Sequence, residues 1–261
     1  MNALRSRLVD GVIEVELCAP PLNEIGLPML EALEQLLDGP ELTSARALIF
    51  YSSLRGGFCA GADLRALYHG MQDAPNLEQR AARIGDFVDR IHHVANRLDA
   101  LPLTTIGAVH GVCFGGGFEL ALTCDILIAD RTARFCFPEL RLGIVPGFGG
   151  IPRLRRDVGN AVVRDLLLSG RSLNAKKAQA AGLVSQMVAQ GKHLDAARST
   201  ARQATRFDPE AVRRVKAFMK PIPYEELAAE RALFKELVVR PNVEAALRKF
   251  VESSDLRPYL P

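Results

Sequence analysis

Two glutamates carry the chemistry that this chain could perform. Glu119 lies in Gly111-Val-Cys-Phe-Gly-Gly-Gly-Phe-Glu-Leu120, and Glu139 lies in Phe137-Pro-Glu-Leu-Arg-Leu-Gly-Ile-Val-Pro-Gly-Phe-Gly-Gly150. Two carboxylates beside closely approachable backbone are the parts needed to move protons at a carbon next to a carbonyl. A third segment, Gly57-Phe-Cys-Ala-Gly-Ala-Asp-Leu64, supplies another tight backbone corner.

The run Gly115-Gly-Gly117 sits between a strand pattern, Thr104 to Val109, and a helix expected to open at Phe118 to Thr123. The dinucleotide motif G-x-G-x-x-G fails there, because the third glycine would fall at Leu120. A P-loop fails too, because no Gly-Lys-Ser/Thr follows. Two readings stay open. Bare N–H groups at a helix N-terminus favour an anion such as an enolate oxygen, and the same run is also what a turn with φ > 0 requires. Gly61-Ala-Asp-Leu forms a second such corner, with a helix start at Arg65 to Tyr68. Two N–H donors aimed at one oxygen form an oxyanion hole. Glu119 keeps apolar company in Phe118, Leu120, Ala121 and Leu122, and glutamate is seldom buried unless paired or functional. The competing reading is a charge that stabilises a helix N-terminus. For Glu139 it is a solvated loop residue after Pro138. The sequence separation does not establish that the two glutamates meet.

Elements that could position these groups are visible as periodicity. Val12 to Leu17 alternates as a strand, and Ala47 to Tyr51, Thr104 to Val109 and Ile126 to Ala129 are short apolar strands. Ala133 to Phe137 reads as an edge or short strand stopped by Pro138. Met29 to Leu37 and Leu77 to Leu101 have helical spacing, with a loop expected from Gly70 to Asn76. From Asn160 onward the chain reads as mostly helical, with Asn174 as an N-cap and Gly182 as a stop. The composition shifts near Ala189. This predicts an α/β part over residues 1–188 and a charged helical part over 189–261.

The chain has 261 residues, 48% apolar and 24% charged, with a formal net charge of +3. That suits a soluble globular protein with a real core and gives no basic block for nucleic acid. Five cysteines without a C-x-x-C pair argue against a disulfide framework or a zinc site. No metal is expected. The N-terminal decapeptide lacks a signal-peptide core, and no apolar run reaches the roughly 18 residues of a membrane span. The expected location is cytoplasmic. Of the remaining chemical side chains, one of His92 and His93 is expected to face solvent, and His110 to be structural. Asp125 is expected to cap or hydrogen-bond, and Cys113 has no base at a nucleophile's offset.

Four motifs occur in order. They are Phe-Cys-Ala-Gly-Ala-Asp-Leu, Gly-Gly-Gly-Phe-Glu-Leu-Ala, Cys-Asp-Ile-Leu-Ile-Ala and Pro-Glu-x-x-Leu-Gly-x-x-Pro-Gly-x-Gly-Gly. Together they resemble the enoyl-CoA hydratase/isomerase (crotonase) family, from about Val9 to Val188. The resemblance implies an α/β fold, a crotonase-like spiral of ββα turns with a helical C-terminal region serving trimerisation. It implies a homotrimer or dimer of trimers. It also implies an acyl-CoA thioester ligand, with coenzyme A as part of the substrate and no separate cofactor. By the same resemblance the N–H groups of Ala62 and Gly116 match the oxyanion hole, and Ala62, Asp63, Leu64 and Arg65 match the stretch along the CoA. The Pro20-Pro-Leu-Asn23 segment is similar to an early turn near the CoA.

Both glutamates of the hydratases are present. The resemblance assigns Glu119 to the water that adds at Cβ and Glu139 to the proton at Cα. The reading is therefore an enoyl-CoA hydratase, a hydro-lyase. The rivals are an isomerase or another enolate enzyme of the fold (hydrolase, decarboxylase), and, from another class, a non-catalytic CoA- or RNA-binding scaffold. The chain departs from the family pattern at Ile151-Pro152, where Thr-Gln is usual, and in Val239 to Phe250.

Overall fold

The computed structural model describes residues 3–253. The outer ends of the expected two-part division, residues 1–2 and 254–261, lie outside the described residues. The chain opens with a hairpin of β1 (Leu4–Val9) and β2 (Val12–Leu17). It continues through α1 (Leu27–Asp38), α2 (Glu41–Ser44), β3 (Ala47–Ser52), β4 (Gly57–Cys59), α3 (Leu64–Gln72) and the long α4 (Leu77–Asp99). Then come β5 (Thr104–Val109), β6 (Val112–Phe114), α5 (Gly116–Ala121), β7 (Ile126–Asp130), β8 (Arg134–Cys136) and a 3-10 turn at Glu139–Leu142. Next follow α6 (Gly150–Val158), α7 (Asn160–Ser169), β9 (Leu173–Asn174), α8 (Ala175–Ala180) and β10 (Gln186–Val188). Helices α9 (His193–Ala204), α10 (Pro209–Met219), α11 (Tyr224–Val238) and α12 (Pro241–Glu252) complete it.

The strands fall into two sheets, ordered β1-β2-β3-β5-β7-β10 and β4-β6-β8-β9. Successive strands alternate between them: β3, β5 and β7 enter the larger sheet, while β4, β6 and β8 enter the smaller one in parallel. Each turn of the chain therefore lays down two strands and a helical segment. One face of the larger sheet presents Ile13, Val15, Leu17, Leu48 and Phe50 to the main core. The other face presents Val12, Ala47, Ile49, Ile106 and Ile128 to Ala197 and Ala201 of α9. This double coverage explains why Glu14, on the polar side of the β2 alternation, is only 6% exposed. Arg198 and Arg7 reach its carboxylate and hold it down to about 2.

Several elements differ from expectation for identifiable reasons. The expected loop at Gly70 to Asn76 begins later, because α3 runs to Gln72. Asp63 caps that helix through Ala66 N–H at 2.8 Å, and Leu64 and Met71 are buried in a cluster with α12 residues Val243 and Leu247. Gly70 is tolerated inside α3 because a Cβ there would meet nothing within 4 Å. Of the two readings for the strand before Pro138 the short strand holds: β8 has three residues, and it is not an edge, since it lies between β6 and β9. The helix after the glycine run starts at Gly116 rather than Phe118. Asn174 caps α8 through Lys177 N–H at 2.9 Å, and Gly182 adopts φ +82° just beyond its end.

Candidate active site

The smaller sheet brings the site together. Strands β4, β6 and β8 are neighbours and parallel, so their C-terminal ends share one edge. Ala62 follows the end of β4 at Cys59, Gly116 follows the end of β6 at Phe114, and Glu139 follows the end of β8 at Cys136. Three adjacent strand ends thus deliver three of the four candidate catalytic residues. Glu119 comes from the first turn of α5, the helix that Gly116 opens. All four line one small cavity of about 50 Å³, together with Leu64, Leu142, Phe148 and Phe234.

The glycine run both makes a turn with φ > 0 and opens a helix. Gly115 takes φ +48°, and a Cβ on it would stand 2.9 Å from Glu139 Oε1, so its bareness makes room for that carboxylate. Gly116 begins a helix, where an N–H has no intrahelical acceptor. Among the described residues neither Gly116 N–H nor Ala62 N–H donates a hydrogen bond, although both neighbours of Ala62 are engaged by Ile25. Ala62 N lies 3.3 Å from where a Cβ of Gly116 would be, and both residues line the small cavity. Two amides without an acceptor beside one cavity are the components from which an oxyanion hole is built.

The two glutamates are buried in different ways. Glu119 Oε1 accepts hydrogen bonds from Phe148 N–H at 2.7 Å and Gly150 N–H at 2.8 Å. Burial pushes its carboxyl up, those amides and the Arg153 guanidinium pull it back, and the result is about 7. Glu139 is not the solvated loop residue that was its alternative reading; it is 8% exposed, and its Oε2 is buried without a partner. Burial, followed by the nearby Glu119 charge, drives its carboxyl well above the ordinary glutamate range. One fixed carboxylate poised near neutrality and one neutral acid share the cavity, which is the division of labour that acid–base catalysis needs.

Sequence reasoning missed a third buried carboxyl. Glu230, on α11, accepts Ile151 N–H at 2.7 Å and is 6% exposed. Burial, then the Glu119 charge, raises its carboxyl well above normal. Its signal was weak, a single glutamate within a charged helix, and only the packing of α11 on α6 brings it here. The CoA-matching residues are divided. Leu64 lines the small cavity, and Asp63 borders a larger cavity of about 440 Å³ between α3 and α4. Arg65 instead donates to Val251 O at 2.9 Å and stacks over Phe250, 5.6 Å from the ring centre.

The other chemical side chains have structural partners. His93 is exposed and His92 buried, with its Nε2 2.8 Å from Gly147 O. His110 Nε2 lies 2.9 Å from Leu54 O, and Asp125 accepts Thr105 N–H at 2.8 Å. Burial holds the Cys113 thiol well above its usual range. Among the described residues no three His, Cys, Asp or Glu side chains gather around a possible metal position. No helix among them is long and apolar enough to cross a membrane.

The cavity thus holds two buried glutamates and two amides without an acceptor among the described residues, on a ββα spiral. Residues 7–257 match the family described as enoyl-CoA hydratase/isomerase. The chain belongs to that family. It is 36% identical over 176 residues to methylglutaconyl-CoA hydratase, mitochondrial, of Rattus norvegicus, covering 67% of this chain and 53% of that protein. The chain thus spans about half the length of that relative. It is 33% identical over 234 residues to a probable enoyl-CoA hydratase of Rhizobium meliloti, covering 88% and 87% of the two chains. Among solved structures, an enoyl-CoA hydratase from Bacillus anthracis superposes with a TM-score of 0.75 at 27% identity, over 96% of each chain. An enoyl-CoA hydratase/isomerase from Xanthobacter autotrophicus has the same fold, with a TM-score of 0.85 at 23% identity over 98% of this chain and 95% of that one. The crotonase fold of the family is therefore the fold of this chain.

Proposed function

We propose that the protein is an enoyl-CoA hydratase, adding water reversibly across the 2,3 double bond of a 2-enoyl-CoA thioester. The observation that carries this is the shared cavity of Glu119, Glu139 and the free N–H groups of Ala62 and Gly116. The thioester oxygen accepts from both amides. Charge drawn onto that oxygen makes Cβ electrophilic. Ionised Glu119, held by two amides, orients water and takes its proton as the oxygen bonds to Cβ. Neutral Glu139 gives its proton to Cα as the enolate collapses. Water has then added across the double bond, and proton exchange between the carboxyls and solvent resets the site.

The acyl group fits the cavity between α3 and α4, whose walls include Leu67, Ile84, Phe87, Val88 and Phe234. Such walls suit an apolar acyl chain. Exposed apolar residues on α10, Val215, Phe218 and Met219, supply a surface for the other subunits of a homotrimer or dimer of trimers.

Two results are expected. First, kcat/KM for hydration falls as pH drops through about 7, because Glu119 must be ionised to act as base. The basic limb lies higher, where Glu139 loses the proton that it must donate. A pH–rate profile with a 2-enoyl-CoA checks both limbs. Second, Gly116→Ala is expected to lower kcat by about 10²-fold. Its Cβ would stand 2.6 Å from Phe148 Cε2 and crowd the Ala62 amide, displacing the thioester oxygen. Steady-state kinetics beside a thermal unfolding curve separates this from loss of fold. The reading is tested by the ultraviolet absorbance of crotonyl-CoA mixed with the protein: loss of the conjugated-enoyl band supports it, and an unchanged band with short and long 2-enoyl-CoA thioesters refutes it.

A further inference from the structure

Glu119 does not fix its own geometry. Its two hydrogen bonds come from the backbone between Gly147 and Gly150, and that backbone is gripped from behind. Arg153 is fully buried, at 0% exposure. Its Nη1 donates to Phe148 O at 3.0 Å and Gly149 O at 3.4 Å, its Nη2 to Asn96 Oδ1 at 2.6 Å, and its Nε to Asp99 Oδ2 at 2.9 Å. Gly149 has φ +102°, and a Cβ there would stand 1.8 Å from Arg153 Nη1, so the loop wraps the guanidinium as only glycine allows. The Phe148 and Gly149 carbonyls face Arg153, while the amides of Phe148 and Gly150 face Glu119.

We propose that Arg153 is a positioning residue for the reaction: its guanidinium fork holds the Phe148 and Gly149 carbonyls so that the Phe148 and Gly150 amides present themselves to Glu119. The proposal rests on Glu119 being the group that acts on water. A lysine could keep the charge but not the planar fork that reaches two carbonyls, Asn96 and Asp99 together.

The surroundings make the effect readable. Glu119 faces Glu139 from the 3-10 turn, Glu230 from α11 and Arg153 from α6. The Cys59 and Cys113 thiols of β4 and β6 are raised by burial and stay protonated. His92 of α4 is pushed down to about 4 by burial and by Arg153, so it is neutral and donates to Gly147 O. Arg153 is therefore the cation that favours ionised Glu119. Asp99 would not be orphaned by its removal, because Arg156 lies 2.9 Å and Lys220 2.8 Å from its carboxylate.

The test compares Arg153→Met and Arg153→Lys with the unaltered protein. One readout is carbon-13 NMR titration of labelled glutamate carboxyls, with the Glu119 signal assigned by its absence in Glu119→Gln. The other is kcat and KM for crotonyl-CoA across pH. In Arg153→Met the Glu119 carboxyl is expected to titrate higher by about one pH unit, taking the acid limb with it. There kcat falls about 10²-fold while KM moves far less. In Arg153→Lys the titration stays near its original pH, yet kcat remains at least about tenfold down, since the fork is gone. An unmoved Glu119 titration in Arg153→Met overturns the proposal. If only the lysine variant folds, unchanged kcat in it overturns the proposal equally. The NMR arm needs no substrate, so failure of the hydratase reading would leave the hold of Arg153 on Glu119 separately measured.

Discussion

Glu119→Gln is expected to slow crotonyl-CoA hydration by about 10²–10⁴-fold, with a much smaller change in KM. The amide oxygen of glutamine can still accept the Phe148 and Gly150 N–H groups that hold Glu119 at 2.7 and 2.8 Å, so the loop keeps its partners. What disappears is the base. The same substitution removes the negative charge that helps to raise Glu139, so Glu139 should ionise at lower pH and the basic limb of any residual activity should move down. Loss of the enoyl absorbance band reports the rate. If the chain instead shifts double bonds, Glu119→Gln leaves isomerisation of a 3-enoyl-CoA largely intact, because one carboxyl suffices for a 1,3 proton shuttle.

Glu139→Gln should be comparably damaging, again by about 10²–10⁴-fold, through the opposite half of the reaction. Glutamine has no proton to give to the enolate at Cα. In deuterium oxide the unaltered protein is expected to place deuterium at Cα of the product, and the variant to lose that incorporation along with turnover. The variant should also be more stable than the unaltered protein near neutral pH. Glu139 has a native-state pKa above its unfolded one. Its contribution to stability is therefore present below the ordinary glutamate range and is lost as pH rises toward the raised native value. A neutral amide escapes that loss. Thermal unfolding across pH checks the sign: the gap between the two proteins should widen from acid to neutral pH.

The four inner strands of the larger sheet, β2, β3, β5 and β7, were legible because their residues alternate or run apolar over short stretches. Val12–Leu17 and Thr104–Val109 appear with the expected bounds. The β1 strand was not seen, because Leu4–Val9 shows only Leu4 buried and presents Arg5, Ser6 and Arg7 to solvent. It is a strand because β2 offers it a hairpin partner, a relation that lies outside its own composition. In the candidate site, the glutamates and glycine corners could be read from residue type. Their meeting could not, since it depends on β4, β6 and β8 being neighbours. Arg153 and Glu230 were invisible as site residues for the same reason. Each matters through backbone atoms of the 148–151 loop, and side-chain identity alone does not say which backbone a residue will grip.

The most direct test of the central claim is to incubate the protein with crotonyl-CoA in oxygen-18 water and follow the thioester by mass spectrometry. Hydration predicts a 3-hydroxyacyl-CoA carrying the heavy oxygen at C3, with coenzyme A still attached and no product from Glu119→Gln. Unchanged crotonyl-CoA, or heavy oxygen appearing in a free carboxylate with release of coenzyme A, would contradict it.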